Sequence, residues 1–358
     1  MNDIAELKQY VLVHARAQGV PARVQRRVLD RIETDEGAGP GSWVGEWNAA
    51  AARAAQPLDV ARCYNLARFP YVDGPARAEA QRRCVAAVER WAAGRPGLRR
   101  VRAELDGQQI RCWTAGLSAA EPRPLLLVMG GIVTIKEQWA PVLAGLGRLG
   151  MAGVVAELPG VGENPLPYRA DSARMISAVL DALDGQADTS QTYAMALSFS
   201  GHLALRCALD DSRIRGIVTA GAPVRDFFTD QGRLAALPRV TTDTLAHLIR
   251  CDPAEVPRRI AGWELSREQL AGLRIPVHYL ASERDEIIPP GDPALLEGAL
   301  PDAHVVRNND VHGSPRHTAE TRLWSILSVL RMRGVRDLRT AALASMLRAR
   351  RMTAGARA

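Results

Sequence analysis

A serine stands where a short apolar run meets a helical pattern, in the segment Thr192–His202 that centres on Ala196, Leu197, Ser198, Phe199 and Ser200. A serine hydroxyl attacks a carbonyl only when a base removes its proton. A sharp strand-to-helix turn is the setting that lifts such a hydroxyl out of a sheet. The usual frame for that turn is Gly-x-Ser-x-Gly. Here Ala196 and Ser200 take the glycine places; both are small, and neither is glycine. Taken alone, the segment reads more readily as a buried serine or a helix N-cap.

Two later segments change that reading. Val277–Ala281 reads as a strand and is followed by a loop containing Asp285. His304–Arg307 reads as a strand and is followed by a loop containing His312. Serine, acid and histidine therefore occur in that chain order, each just past the C-terminal end of a strand, where open α/β sheets gather their chemistry. His312 is expected to take the proton from Ser198, with Asp285 orienting the imidazole and stabilising its cation. Glu283 and Glu286 are rival acids and His317 a rival histidine. An oxyanion needs two donors. The Phe199 N–H is one. Gly131 or Ile132, in the loop Gly130–Val133 after Leu125–Met129, is the other, because glycine lets backbone approach a substrate closely.

The elements that must position these groups are legible as patterns. Residues 1–97 show helical spacing broken by Gly and Pro: Ile4–Gln18, Ala22–Glu33, Trp43–Ala55, Leu58–Ala67 and Pro75–Ala93. From residue 98 the texture alternates. Arg100–Leu105 and Gln109–Ala115 flank the hairpin signal Asp106-Gly107. Leu125–Met129, Gly153–Leu158, Thr192–Leu197 and Ile214–Ala220 read as further strands. Ile135–Leu149, Ala170–Leu183, His202–Leu209, Pro293–Leu300 and Ala319–Arg333 read as helices among the strands. That alternation predicts a mostly parallel, doubly wound α/β sheet over 98–333. Residues 222–274 interrupt it with helical segments and are expected to form a lid, with Phe227, Phe228 and Trp263 as candidate pocket residues beside Val133 and His202.

Together Gly130-Gly131 with Lys136-Glu137, the run Leu158–Gly162, the Ser198 turn, Asp285 and His312 resemble the α/β-hydrolase superfamily. More narrowly, they resemble the esterase FrsA-like group, which includes polyketide-shortening and pseudooxynicotine-type C–C hydrolases. The helices between Trp43 and Trp91, with Ala61–Pro70, are similar to that group's helical N-terminal domain. The resemblance implies the α/β-hydrolase fold, the triad Ser198, Asp285 and His312, and a cofactor-free reaction on a carbonyl compound. Two departures stand out: the non-glycine flanks of Ser198, and Val133 where relatives often carry Asp.

Composition narrows the rest. The chain has 358 residues, 47% hydrophobic and 24% charged, with a net charge of +7, which suits a globular protein. Residues 331–358 carry eight arginines against one acidic residue, Asp337, and so hold the whole excess. The segment 334–358 is therefore expected to be a solvated helical or frayed tail, and the balanced body gives no reason to expect a nucleic-acid partner. Five scattered cysteines and the absence of a leader pattern lead to an expectation of a cytoplasmic location. No apolar run spans a membrane. Gly160 and Gly162 lack the third glycine of a dinucleotide site, and no P-loop, HExxH or cluster of Cys and His appears, so no cofactor and no metal are expected. The expected partner is a small-molecule substrate, with a homodimer left open.

The expected activity is that of a serine hydrolase, an esterase, thioesterase or C–C hydrolase, for a medium-sized, largely apolar substrate such as a secondary metabolite of polyketide type. Two alternatives remain. A lyase on the same fold would eliminate a carboxylate such as acetate, and a non-catalytic binder would explain the missing glycines.

Overall fold

The computed structural model describes residues 2–355. Five helices come first: α1 (Ile4–Ala17), α2 (Ala22–Leu29), α3 (Trp43–Ala52), α4 (Pro57–Ala67) and α5 (Pro75–Ala93). Their starts follow capping chemistry. Asp3 accepts from the Glu6 N–H and Ser42 from the Gly45 N–H, while α4 and α5 open on proline, whose missing N–H costs nothing there. Trp43, Trp47, Leu66 and Phe69 centre a small core of this layer, and the Trp43 indole donates to the Leu66 carbonyl at 2.9 Å. Helix α5 joins that core through Ala80. Through Cys84, Val88 and Trp91 it joins the main core, so layer and sheet are welded along one helix.

The sheet has eight strands: β1 (Arg99–Leu105), β2 (Gln108–Ala115), β3 (Pro124–Met129), β4 (Ala152–Ala156), β5 (Asp188–Ala196), β6 (Ile214–Ala220), β7 (Val277–Ser282) and β8 (Ala303–Asn308). Their order is β1-β2-β4-β3-β5-β6-β7-β8. The pairs β1–β2 and β2–β4 are antiparallel and the others parallel. This is the α/β-hydrolase fold that the alternating pattern and the resemblance led us to expect. Asp106 and Gly107 both take positive φ, which the tight β1–β2 turn requires. β3 and β4 are buried on both faces, as parallel strands between helical layers must be.

Helices α6 (Lys136–Leu143), α7 (Arg174–Asp181) and α8 (Phe199–Asp210) follow β3, β4 and β5. The helix expected over Ile135–Leu149 is shorter, because Pro141 and Gly145 limit it; a 3-10 turn at Leu146–Leu149 completes the segment. Between β6 and β7 lie α9 (Asp226–Thr229), α10 (Gln231–Ala235), α11 (Arg239–Ile249), α12 (Val256–Arg259) and α13 (Arg267–Gly272). The carboxylate of Asp292, at the start of α14 (Gly291–Ala299), accepts from the N–H groups of Val224, Arg225, Asp226 and Phe227 and so anchors this insertion.

Helix α15 (Thr318–Met332) lies against the sheet, and α16 (Leu338–Gly355) packs on α15 with Leu347 buried. The arginine-rich terminus is thus a docked helix, tied also by Arg339 to the Arg148 carbonyl. Residues 356–358 of that segment lie outside the described residues. No helix among the described residues is long and apolar enough to cross a membrane.

Candidate active site

Ser198 occupies the corner between β5 and α8 with φ 56° and ψ −130°. This backbone region is strained for any residue but glycine and persists only when the surroundings enforce it. They do: the Leu197 N–H donates to the Met129 carbonyl at 3.0 Å, and the Ser198 N–H to the Ala220 carbonyl at 2.8 Å, pinning the corner to both neighbouring strands. The Ser200 hydroxyl lies within hydrogen-bond reach of the Met129 and Leu197 carbonyls. A serine in the usual glycine place therefore adds a tie. The close approach of helix to sheet falls one residue later, at Gly201, where a β carbon would lie 2.1 Å from Thr219 Oγ1 and 3.0 Å from the Ala196 carbonyl.

His312 Nε2 lies 3.3 Å from Ser198 Oγ, and its Nδ1 lies 2.9 and 3.0 Å from the two Asp285 oxygens. The carboxylate assigns the ring proton to Nδ1 and leaves the Nε2 lone pair facing the serine. Asp285 Oδ1 also accepts from the Ile287 and Ile288 N–H groups, which fix its plane. Burial works to lower the His312 pKa, but Asp285 and then Glu286 outweigh it, and the net direction is upward. The rivals do other things. Glu286 accepts from the His312 backbone N–H at 3.0 Å, and His317 pairs with buried Asp310 at 3.0 Å inside the same loop. Glu283 is exposed.

The Phe199 N–H, at the first position of α8, has no intrahelical acceptor. Across from it, Gly131 lies against the serine, with its β position only 3.1 Å from Ser198 Cβ. The Gly131 carbonyl accepts from the Thr134 N–H at 3.0 Å and Oγ1 at 2.9 Å, which closes a turn. The N–H and C=O of a trans peptide point in opposite directions, so the Ile132 N–H points out of that turn. This arrangement can pass a proton from Ser198 to His312 and offers backbone donors to an oxyanion.

These groups open onto a cavity of about 560 Å³. Val133 lines it, as do Ser198, Phe199, Gly131, Ile132 and His312. His202, Phe227, Phe228 and Trp263 do not, which corrects the expectation that they line the pocket. Phe227 stacks edge-on against Phe199, Phe228 lies on the His202 ring and Trp263 meets Tyr168, so the insertion's aromatics are spent against α8 and the loop after β4. Burial pushes the His202 pKa down to about 3, and it stays neutral. From the insertion only Val240 and Thr241 reach the cavity. The roof comes instead from α1 and α4, through Tyr10, His14, Gln18 and Asn65.

Sequence reasoning missed four contributors. Gly221, at φ +59°, leaves room for the imidazole. Tyr10, His14 and Gln18 fall at intervals of four along α1 and its C-cap, the spacing of one helix face, and that was a readable signal. Burial first, then Arg68 and His312, lowers the His14 pKa to about 3, so it faces the cavity uncharged. The pair Gly160 and Gly162 serves a turn: at Gly162 a β carbon would strike the Glu157 carboxylate.

A family model described as "Esterase FrsA-like" matches residues 41–304. Esterase FrsA of Vibrio cholerae serotype O1 is 25% identical over 319 residues, covering 78% of this chain and 77% of the relative. Esterase FrsA of Vibrio vulnificus is 23% identical with the same coverage. A solved structure named AbyA5 Wildtype superposes with a TM-score of 0.93 at 54% identity, covering 97% of this chain and 99% of that one. The structure of a 2,6-dihydroxy-pseudo-oxynicotine hydrolase has a TM-score of 0.70 at 19% identity, covering 90% and 93%; it shares the fold.

Proposed function

This chain belongs to the esterase FrsA-like family of α/β-hydrolase enzymes, and from that premise we propose that it is a serine hydrolase with Ser198 as nucleophile, His312 as base and Asp285 as its orienting acid. The observation that carries the reading is the contact series from Ser198 Oγ through His312 to Asp285, at the mouth of one cavity.

In the proposed reaction Ser198 Oγ bonds to the substrate carbonyl carbon as its proton passes to His312 Nε2. The Phe199 and Ile132 N–H groups take up the charge on the carbonyl oxygen. His312 then returns the proton to the leaving group as its bond to the acyl carbon breaks. Water attacks the acyl-enzyme with His312 again as base, which frees the acid and restores the serine. The cavity lies within the roughly 300–1,000 Å³ usual for small-molecule sites. Its walls, including Leu58, Phe69, Met195 and Ile287, favour a medium-sized apolar carbonyl compound. An ester, thioester or C–C ketone of polyketide type, handled in the cytoplasm without a cofactor, belongs to the same reading.

The test is a fluorophosphonate probe. The folded protein should be labelled at Ser198, and Ser198→Ala should take no label and lose ester turnover. Absence of label on folded wild type would count against it. A second reading keeps the cavity and the His312–Asp285 pair. The Ser198–His312 contact of 3.3 Å is long for an oxygen–nitrogen hydrogen bond, which leaves Nε2 open to a substrate C–H. His312 would then remove that proton, a C=C bond would form and a carboxylate such as acetate would leave. Product masses separate the two readings, since elimination leaves an alkene and hydrolysis a hydroxyl. Ser198→Ala would retain elimination and lose hydrolysis.

A further inference from the structure

Three buried cations stand near the cavity, and they are compensated differently. Arg77 pairs with Asp35 and Asp73. Lys136 contacts Glu137, Glu157 and Glu163. Arg68, at the C-cap of α4 and 2% exposed, pairs with no carboxylate among the described residues. Its guanidinium donates only to neutral oxygens: Asn65 Oδ1 at 3.1 Å, the Pro70 carbonyl at 3.3 Å and the Val133 carbonyl. A buried charge with no carboxylate in contact is costly, so its retention needs a reason.

The third acceptor supplies one. Val133 lies in the turn Gly131–Thr134, whose first carbonyl is closed internally by Thr134. Arg68 holds the carbonyl at the other end of that turn. We propose that Arg68 is a positioning residue for the oxyanion site: it clamps the turn from the helical layer, keeps the Ile132 N–H aimed at Ser198, and lends a positive charge that no carboxylate contacts behind the donors. Burial pushes its pKa down to about 10, so it remains a cation at neutral pH. Its charge already acts across this space, because it helps to hold His14 neutral. Oriented charge in a site shielded from water stabilises a developing oxyanion without reorganisation. The helical layer then does more than roof the cavity; it completes the catalytic backbone. The proposal rests on the serine-hydrolase reading.

The test uses the full-length protein with p-nitrophenyl butyrate as substrate and phenylboronic acid, which forms an anionic tetrahedral adduct on serine. Arg68→Met should lower kcat by about 10–100-fold, less than or comparable to loss of a direct oxyanion donor. KM should stay within about threefold, because the ground-state ester carries no charge to lose. Boronate affinity should fall by the same factor as kcat. Arg68→Lys, which keeps the charge and can reach one carbonyl, should recover part of both. A folded Arg68→Met with wild-type kcat and boronate affinity overturns the proposal. So does an equal loss of ester and boronate binding, or a Lys variant no better than Met. If Arg68→Met does not fold, Asn65→Asp places a carboxylate on the guanidinium while leaving the Val133 clamp. It should lower kcat and boronate affinity together, and wild-type values for both would overturn the proposal. A wild type that neither hydrolyses the ester nor binds the boronate sinks the serine-hydrolase reading itself, and this proposal with it.

Discussion

A β carbon placed on Gly221 would lie 2.7 Å from Cε1 and 3.1 Å from Nδ1 of His312, and 3.5 Å from Asp285. The imidazole and its carboxylate therefore meet over a glycine at the end of β6, held at φ +59° by the N–H bond of Gly221 to the Leu280 carbonyl. Gly221→Ala should displace the ring from the serine. The expected result is a kcat reduced by about tenfold or more, since misplacement of a reacting group by about 1 Å can cost about 100-fold. KM should move little, and steady-state kinetics on a p-nitrophenyl ester measures both. An unchanged kcat would mean that the ring need not occupy its present place.

The pH profile follows from the raised His312 pKa. Below that pKa the imidazole is protonated and cannot accept the serine proton; above it, the ring is neutral and competent. kcat/KM should therefore fall on the acid side with an apparent pKa above the ordinary histidine value of about 6.5. Asp285→Asn removes the carboxylate that raises it and also the acceptor that selects the tautomer. Rates should fall by roughly 10⁴-fold, with the residual acid limb moved to lower pH. A limb that stays in place would assign it to another group.

His14 gives the complementary expectation. Its pKa, lowered to about 3 by burial first and then by Arg68 and His312, keeps it neutral through the working range. His14→Ala should change KM or substrate preference and leave the acid limb where it is. Loss of that limb in the variant would make His14 the titrating base.

The insertion and the roof should separate cleanly by mutation. Phe228→Ala, buried against His202 and Phe227, should cost about 3–5 kcal/mol of stability with KM for small esters unchanged. Tyr10→Phe, on the roof, should do the reverse, altering kinetics more than the melting temperature. Chemical denaturation beside kinetics distinguishes them.

Removing residues 334–358 tests the terminal helix. Leu347 of α16 is buried and Arg339 reaches the Arg148 carbonyl, so the melting temperature should drop. kcat/KM should persist, because none of the described residues of α16 lines the cavity.

Much of this arrangement was legible before the structure. Strand positions follow from short apolar runs with turn residues at their ends, which is why β6 falls where expected, and helical apolar spacing after Gly74-Pro75 does the same for α5. The segment holding Ser198 was identifiable by its strand-to-helix context even with Ala196 and Ser200 in place of glycine. What escaped reading depends on contacts between distant segments. No local pattern tells that Trp263, between two helical segments of the insertion, meets Tyr168, and the four-residue spacing of Tyr10, His14 and Gln18 marks one helix face without saying what that face covers. The insertion was expected to cover the site because insertions after strands often do. Here the N-terminal helices already occupied that space. Arg68 is an ordinary helix-end arginine in the sequence, and only the placement of α4 against the Gly131–Thr134 turn makes it unusual.

The central claim is that Ser198 carries the acyl group. Acid-quenching the protein during turnover of p-nitrophenyl acetate and mapping its peptides by mass tests this most directly. An acetyl group should appear on the peptide containing Ser198 and be absent in Ser198→Ala, which should also lose turnover. Sustained turnover with no acetylated Ser198, and with full activity in Ser198→Ala, would contradict it.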